Sequence, residues 1–307
     1  MQYVFLFPGQ GSQKIGMGQY LQGISVCDQT FAQANAALGY SITDIMNNGP
    51  EEELQKTFHA QPAILTVAVA IGRYLKEQGI QPLITAGHSL GEYACLVLGE
   101  AMHFEDAVQA VHQRGKYMQE AVPLGVGTMS AILGVQDHVV EQVCREVSGQ
   151  GFLVEPANYN CPGQLVISGS IEGVQKASDL LKTKGAKRCI ALPVSAPFHC
   201  SMLKPAAEKM AQTLETIAVQ DPKIPYIANV DASIVKTGAD IKEKLVSQID
   251  HPVRWTQTLV ELTQMYPEAV FVEVGAAKVV TGHVKKVNPE IQIATTDSLQ
   301  SIQTLLS

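Results

Sequence analysis

Short, nearly continuous apolar runs alternate along this chain with longer segments whose apolar residues recur every three or four positions, the pattern of buried strands alternating with amphipathic helices. Runs at 3–7, 83–86, 226–229 and 269–274 read as strands, and helices are expected over 31–38, 51–58, 63–75, 92 onward, 104–118, 202–216, 241–248, 255–265 and 278–287. In the 63–75 helix, Ile64, Leu65, Ala68, Ile71 and Leu75 supply the apolar face. From Gly127 the rhythm changes. Strands at 129–133, 153–158, 164–168 and 188–194 enclose helices at 139–147 and 174–184, the β-α-β-β-α-β order of a ferredoxin-like unit. The expected architecture is α/β, with residues 1–125 and 199–307 forming the core and residues 126–198 inserted as a small domain.

The strand at 83–86 and the helix opening at Glu92 are joined by Gly87-His88-Ser89-Leu90-Gly91, a match to G-x-S-x-G. That spacing suits a sharp strand-to-helix turn that holds a serine on strained backbone with its Oγ exposed, the glycines letting strand and helix come close. Ser89 is therefore the nucleophile candidate. Free N–H groups at the adjoining helix N-terminus favour the negative charge that develops on a carbonyl oxygen under attack. The five residues alone also fit a tight turn with a capping serine; the strand before and helix after weigh for the nucleophile.

Composition narrows the function classes. A chain of 307 residues with 46% hydrophobic content can bury a sizeable core, and a net charge of −7 with no dense basic face argues against nucleic-acid binding. Six scattered cysteines form no C-x-x-C and no zinc-type Cys/His spacing, so reduced thiols and no metal are expected. The first residues lack a basic leader and no apolar run reaches the roughly 18 residues of a membrane span, so a cytoplasmic protein without membrane partners is expected.

Further candidates lie in loops and helix ends. After the first strand comes Pro8-Gly9-Gln10-Gly11-Ser12-Gln13, but the third glycine of a dinucleotide fingerprint would fall at Lys14. The loop offers instead flexible backbone and Gln10, either able to donate to an oxyanion. A serine nucleophile needs a base of near-neutral pKa. Among the eight histidines, His199 follows Pro197-Phe198 at the junction of the two expected domains, where clefts are favoured. On its own, Arg114 reads as a solvated helical arginine.

Several motifs in one order make the chain resemble the malonyl-CoA:acyl-carrier-protein transacylases: FPGQGSQ at 7–13, GHSLGEY at 87–93, QRGKYMQEAVP at 113–123, ANYNCPGQLVISG at 157–169, APFHCSMLKPAA at 196–207 and PVRW at 252–255. The resemblance implies a hydrolase-like parallel-sheet core with a ferredoxin-like insertion. It implies Ser89 as nucleophile, His199 as general base and acid, and backbone N–H groups of Gln10 and Leu90 as oxyanion hole. Arg114 would pair with the malonyl carboxylate, a role its rigid guanidinium fork suits. The main-chain carbonyl of Gln248 would orient His199 in place of a triad aspartate, and Asn158 and Asn160 would line the cleft. Malonyl-CoA and a phosphopantetheinylated carrier protein would be the substrates, with no cofactor and a monomeric enzyme. Two departures stand out. Phe198 replaces a serine common in the fatty-acid enzymes, making Pro197-Phe198-His199 similar to free-standing enzymes that load polyketide synthases; its bulk would crowd an α-methyl branch, an effect of roughly 1–3 kcal/mol. Gly275-Ala276-Ala277 stands where Gly-Pro-Gly is frequent.

Two other readings stay open at this level. An acyl hydrolase or thioesterase on the same core is the alternative enzyme, and Arg114 weighs against it because an uncharged acyl chain has no use for a buried guanidinium. A catalytically silent carrier-docking module is weighed against by Ser89 and His199 together. Because carrier proteins are acidic and this chain is too, a local basic patch is expected, at Lys182, Lys184, Lys187 and Arg188 or at Lys285 and Lys286.

Overall fold

A computed structural model describes residues 1–194 and 196–307; Ser195, inside the expected small domain, lies outside the described residues. In chain order the strands are β1 (Tyr3–Phe7), β2 (Pro82–Gly87), β3 (Gly127–Leu133), β4 (Val154–Cys161), β5 (Gln164–Ser170), β6 (Arg188–Ala191), β7 (Tyr226–Ile227), β8 (Ile234–Val235), β9 (Val270–Glu273) and β10 (Gln292–Thr295). They make two sheets. The larger runs β10-β9-β1-β2-β7-β8, parallel except for the β7–β8 edge. Its central strands are buried on both faces, which is why they read as unbroken apolar runs: Phe5 and Phe7 enter one core cluster, while Val4, Leu6 and Ile84 enter the cluster on the other side.

The second sheet, β4-β5-β3-β6, is antiparallel, and the helices Asp137–Gly149 and Ile171–Thr183 connect its strands in ferredoxin-like order. Ile132, Val140, Val143, Ile167 and Leu181 form its own core. Strand β4 stitches this unit to the larger one. The Tyr159 N–H donates to the Val253 carbonyl at 2.9 Å, the Val253 N–H donates to the Ala157 carbonyl at 2.8 Å, and Thr256 Oγ1 donates to the Tyr159 carbonyl at 3.0 Å.

The helix expected over 63–75 instead runs unbroken as Thr57–Glu77, with Pro62 inside it. A proline there leaves the carbonyl four residues earlier without its N–H. That carbonyl, on Phe58, accepts from His112 Nδ1 at 2.7 Å, so a neighbouring helix supplies the missing donor. The strand expected at 188–194 ends at Ala191, and Leu192, Pro193 and Val194 line a cavity instead. Sequence reading also missed the helix Ile42–Asn48 and the C-terminal β10 with its helix Leu299–Leu306. The residues of β10 are only half buried and give a weak strand pattern.

The turn after β2 is possible only because two side chains are absent. A Cβ on Gly87 would lie 2.0 Å from the Gly91 carbonyl carbon, and one on Gly91 would lie 2.6 Å from the Phe7 carbonyl oxygen. Gly282, in the helix Val280–Val287, faces open space. Gly87→Ala is therefore expected to lower the unfolding midpoint in urea sharply or to prevent folding. Gly282→Ala should raise stability by about 0.5–1 kcal/mol, as helix propensity alone requires.

Candidate active site

Ser89 sits at the tip of that turn with φ 52°, a left-handed conformation costing a non-glycine residue roughly 1 kcal/mol, and His199 shares it with φ 58°. Asn229 clamps the turn: its Oδ1 accepts the Ser89 N–H at 2.6 Å and its Nδ2 donates to the Gly87 carbonyl at 2.6 Å. Such strain in two residues brought together from distant parts of the chain marks a built site.

Ser89 Oγ lies 2.8 Å from His199 Nε2, and His199 Nδ1 lies 2.8 Å from the Gln248 carbonyl. A carbonyl only accepts, so Nδ1 carries the proton and Nε2 is left to accept the serine hydroxyl. Burial first, and the charge of Arg114 second, push His199 down to about 3, so it stays neutral. A cavity of about 390 Å³ opens onto this pair, lined among others by Gln10, Leu90, Arg114, Asn158 and Phe198. Among the described residues none takes up the backbone N–H of Gln10 or Leu90, so both remain available to an oxyanion.

Arg114 reaches the site because Gly115 lets its helix, Phe104–Glu120, cross the Thr57–Glu77 helix closely: a Cβ on Gly115 would lie 2.6 Å from Phe58 Cα. Its guanidinium, 1% exposed, donates from Nη2 to Ser89 Oγ at 3.0 Å and to Gln248 Oε1 at 2.7 Å, and from Nη1 to Gln61 Oε1 at 2.8 Å. None of these partners is anionic, and Nε has no partner among the described residues. The reading of Arg114 as a solvated helical residue is thereby overturned.

Asn160 departs from its expected place. It does not line the cavity; its Oδ1 accepts from His88 Nε2 at 2.9 Å, fixing the residue before the nucleophile to β4. Sequence reasoning missed Gln61, Asn229, the side chain of Gln248 and Glu92. Each is an unremarkable polar residue in sequence, and only burial and mutual contact reveal it. The Glu92 carboxyl is buried behind the turn, accepts the Asn229 N–H at 2.7 Å and receives Gln248 Nε2. Burial raises its pKa while these donors oppose the rise.

A serine paired with a neutral histidine, two free N–H groups and a buried cation around one cavity define an acyl-transfer site that favours an acyl group bearing a negative charge. The acyl transferase domain family model matches residues 4–301. The chain is 45% identical over 302 residues to the malonyl CoA-acyl carrier protein transacylase of Bacillus subtilis, covering 97% of this chain and 94% of that one. An acyl carrier protein S-malonyltransferase structure from Vibrio cholerae superposes with TM-score 0.96 at 40% identity over 99% of this chain and all of that one. A malonyl-transacylase solved in complex with its type II PKS acyl-carrier protein superposes with TM-score 0.96 at 43% identity, over 100% and 99% of the two chains. The chain belongs to the acyl transferase family and, within it, to the malonyl-CoA:acyl-carrier-protein transacylases.

The buried neutral histidine leaves a mark on stability. Unfolding restores an ordinary histidine pKa near 6.5, so below that pH the unfolded chain takes up a proton that the folded chain refuses, and stability is lost as pH falls. Between about pH 6 and 4 His199 alone should cost ~1.4 kcal/mol per pH unit. Urea unfolding of His199→Gln across that range should give a slope shallower by about this amount; parallel slopes would contradict the assignment.

Proposed function

We propose that this enzyme moves a malonyl group from malonyl-CoA to the phosphopantetheine thiol of an acyl carrier protein through a malonyl ester on Ser89. Ser89 Oγ attacks the thioester carbonyl while His199 Nε2 takes its proton, the Gln248 carbonyl supporting the resulting imidazolium through Nδ1. The tetrahedral oxyanion is received by the N–H groups of Gln10 and Leu90, each such donor typically contributing about 10²- to 10³-fold in rate. As the C–S bond breaks, the His199 proton passes to the coenzyme A sulfur. In the second half-reaction the carrier thiol gives its proton to His199, its sulfur attacks the ester carbonyl, and Ser89 Oγ leaves and recovers the proton.

Arg114 carries this reading. A buried guanidinium whose neighbours are amides and the nucleophile itself holds a place for a carboxylate from the substrate. A hydrolase of uncharged acyl chains has no use for it. Phe198, which lines the cavity, would crowd an α-methyl branch, and Asn158 lines the same cavity.

For the carrier protein we favour the basic group on the small domain. Lys184, Lys187 and Arg188 are exposed, whereas Lys182 is paired with Asp179 at 2.9 Å and Lys285 Nζ is held by the carbonyls of Pro289 and Ile291. From Arg188 the edge strand β6 runs straight to Leu192, Pro193 and Val194 in the cavity wall, a path a phosphopantetheine arm could follow.

Intact mass after brief exposure to equal malonyl-CoA, methylmalonyl-CoA and acetyl-CoA should show a malonyl adduct that is absent in Ser89→Ala. Free coenzyme A accumulating without an adduct would favour the hydrolase. Reversing charge at Lys187 and Arg188 together should raise the KM for carrier protein several-fold while leaving that for malonyl-CoA in place; an unchanged carrier KM would remove the docking proposal.

A further inference from the structure

The Gln248 side chain touches Ser89, Arg114 and Glu92, while its main chain holds His199. Its carbonyl accepts from His199 Nδ1 at 2.8 Å, its Oε1 accepts from Arg114 Nη2 at 2.7 Å, and its Nε2 donates to the Ser89 carbonyl at 2.9 Å and to Glu92 Oε2. An amide can be turned over with almost no change of shape, and turned over here it would set an NH₂ against a guanidinium, two donors face to face. Something must hold it the right way round. The two acceptors on its far side do so, and of these the Glu92 carboxyl is the one supplied by a side chain.

We propose that Glu92 is a positioning residue: it fixes the orientation of the Gln248 amide and through it the place of Arg114, so that acyl-group selectivity is set from behind the nucleophile turn. Both carboxyl oxygens are used as acceptors, Oε1 by the Asn229 N–H at 2.7 Å and Oε2 by Gln248 Nε2. The same group therefore steadies Asn229, whose side chain clamps the turn, and Gln248, whose side chain aims the cation. A neutral amide is the right intermediary. A carboxylate in the place of Gln248 would pair with Arg114 directly and compete with the substrate's, whereas an amide orients the guanidinium and leaves its charge for the acyl group. Gln61 does the same from the opposite side.

The inference rests on the malonyl-transfer reading and is tested with Glu92→Gln, Gln248→Ala and the double variant, all in the full chain. An amide at 92 must face either the Asn229 N–H or the Gln248 NH₂ with its own NH₂, which breaks the key. Gln248→Ala removes the side chain and keeps the carbonyl that holds His199. In single-turnover acylation of Ser89 followed by intact mass, each variant should lose malonyl-CoA preference, its malonyl-to-acetyl ratio of kcat/KM falling about tenfold or more. The malonyl loss should lie mainly in KM, because a misplaced guanidinium weakens binding of the carboxylate. The double variant should be no less selective than the worse single one, since both act through one amide. Equal loss of malonyl and acetyl transfer, or losses in selectivity that add, would overturn the proposal. Should Glu92→Gln not fold by its melting transition, Gln248→Ala decides alone, and an unchanged ratio there overturns it. If the unsubstituted enzyme forms no malonyl adduct on Ser89, the reading beneath falls and takes this one with it, an outcome separate from an intact adduct with unaltered selectivity.

Discussion

A buried guanidinium with no anion among its hydrogen-bond partners in the described residues is the constraint from which the site is built. Placing Arg114 in the interior costs several kcal/mol of desolvation unless dipoles replace water, and the structure replaces water with two glutamine oxygens and the nucleophile hydroxyl. Each support has its own requirement. Gln61 lies on a helix that passes through Pro62, so His112 must cap the stranded Phe58 carbonyl, and Gly115 must let the two helices close. Gln248 must serve two masters at once, its main chain holding the base and its side chain holding the cation. The arginine's charge in turn helps keep His199 neutral and ready to accept a proton.

The nucleophile turn is the second fixed point, and its strain is held by a hydrogen-bonded frame. Left-handed backbone at Ser89 persists because Asn229 grips both sides of it and because Gly87 and Gly91 bring strand, helix and β1 into contact closer than any Cβ allows. The small antiparallel sheet reaches this turn through Asn160 on His88, and the larger unit through Val253. The cavity is thus lined from both units, by Met129 and Asn158 of the small sheet and by the loops that follow β1 and β2, with Phe198 and His199 on the segment that joins them.

How much of this was legible in the sequence follows from what kind of signal each part leaves. Doubly buried parallel strands such as β1 and β9 leave unbroken apolar runs, and the β-α-β-β-α-β order leaves a change of rhythm, so both were readable by pattern. The serine was readable because its strained turn demands glycines at fixed spacing. Arg114 was not readable by chemistry alone, since a helical arginine is ordinary, and only the order of motifs singled it out; His199 was marked by the serine's need of a base and by its place at the domain junction. Glu92, Asn229 and Gln61 left no signal, because their meaning lies in contacts with residues remote in sequence. The break expected before residue 63 failed for the same reason, since the donor that rescues the proline-bearing helix comes from another helix.

That Arg114 receives the acyl carboxylate beside the nucleophile can be read from a crystal structure of the malonyl-Ser89 ester trapped before carrier protein is added. In that ester both carboxylate oxygens should lie about 2.7–2.9 Å from the Arg114 guanidinium nitrogens, with Nη2 drawn off Ser89 Oγ and the ester carbonyl oxygen facing the Gln10 and Leu90 N–H groups. A malonyl carboxylate pointing to solvent, with Arg114 still on Ser89 Oγ, would contradict it.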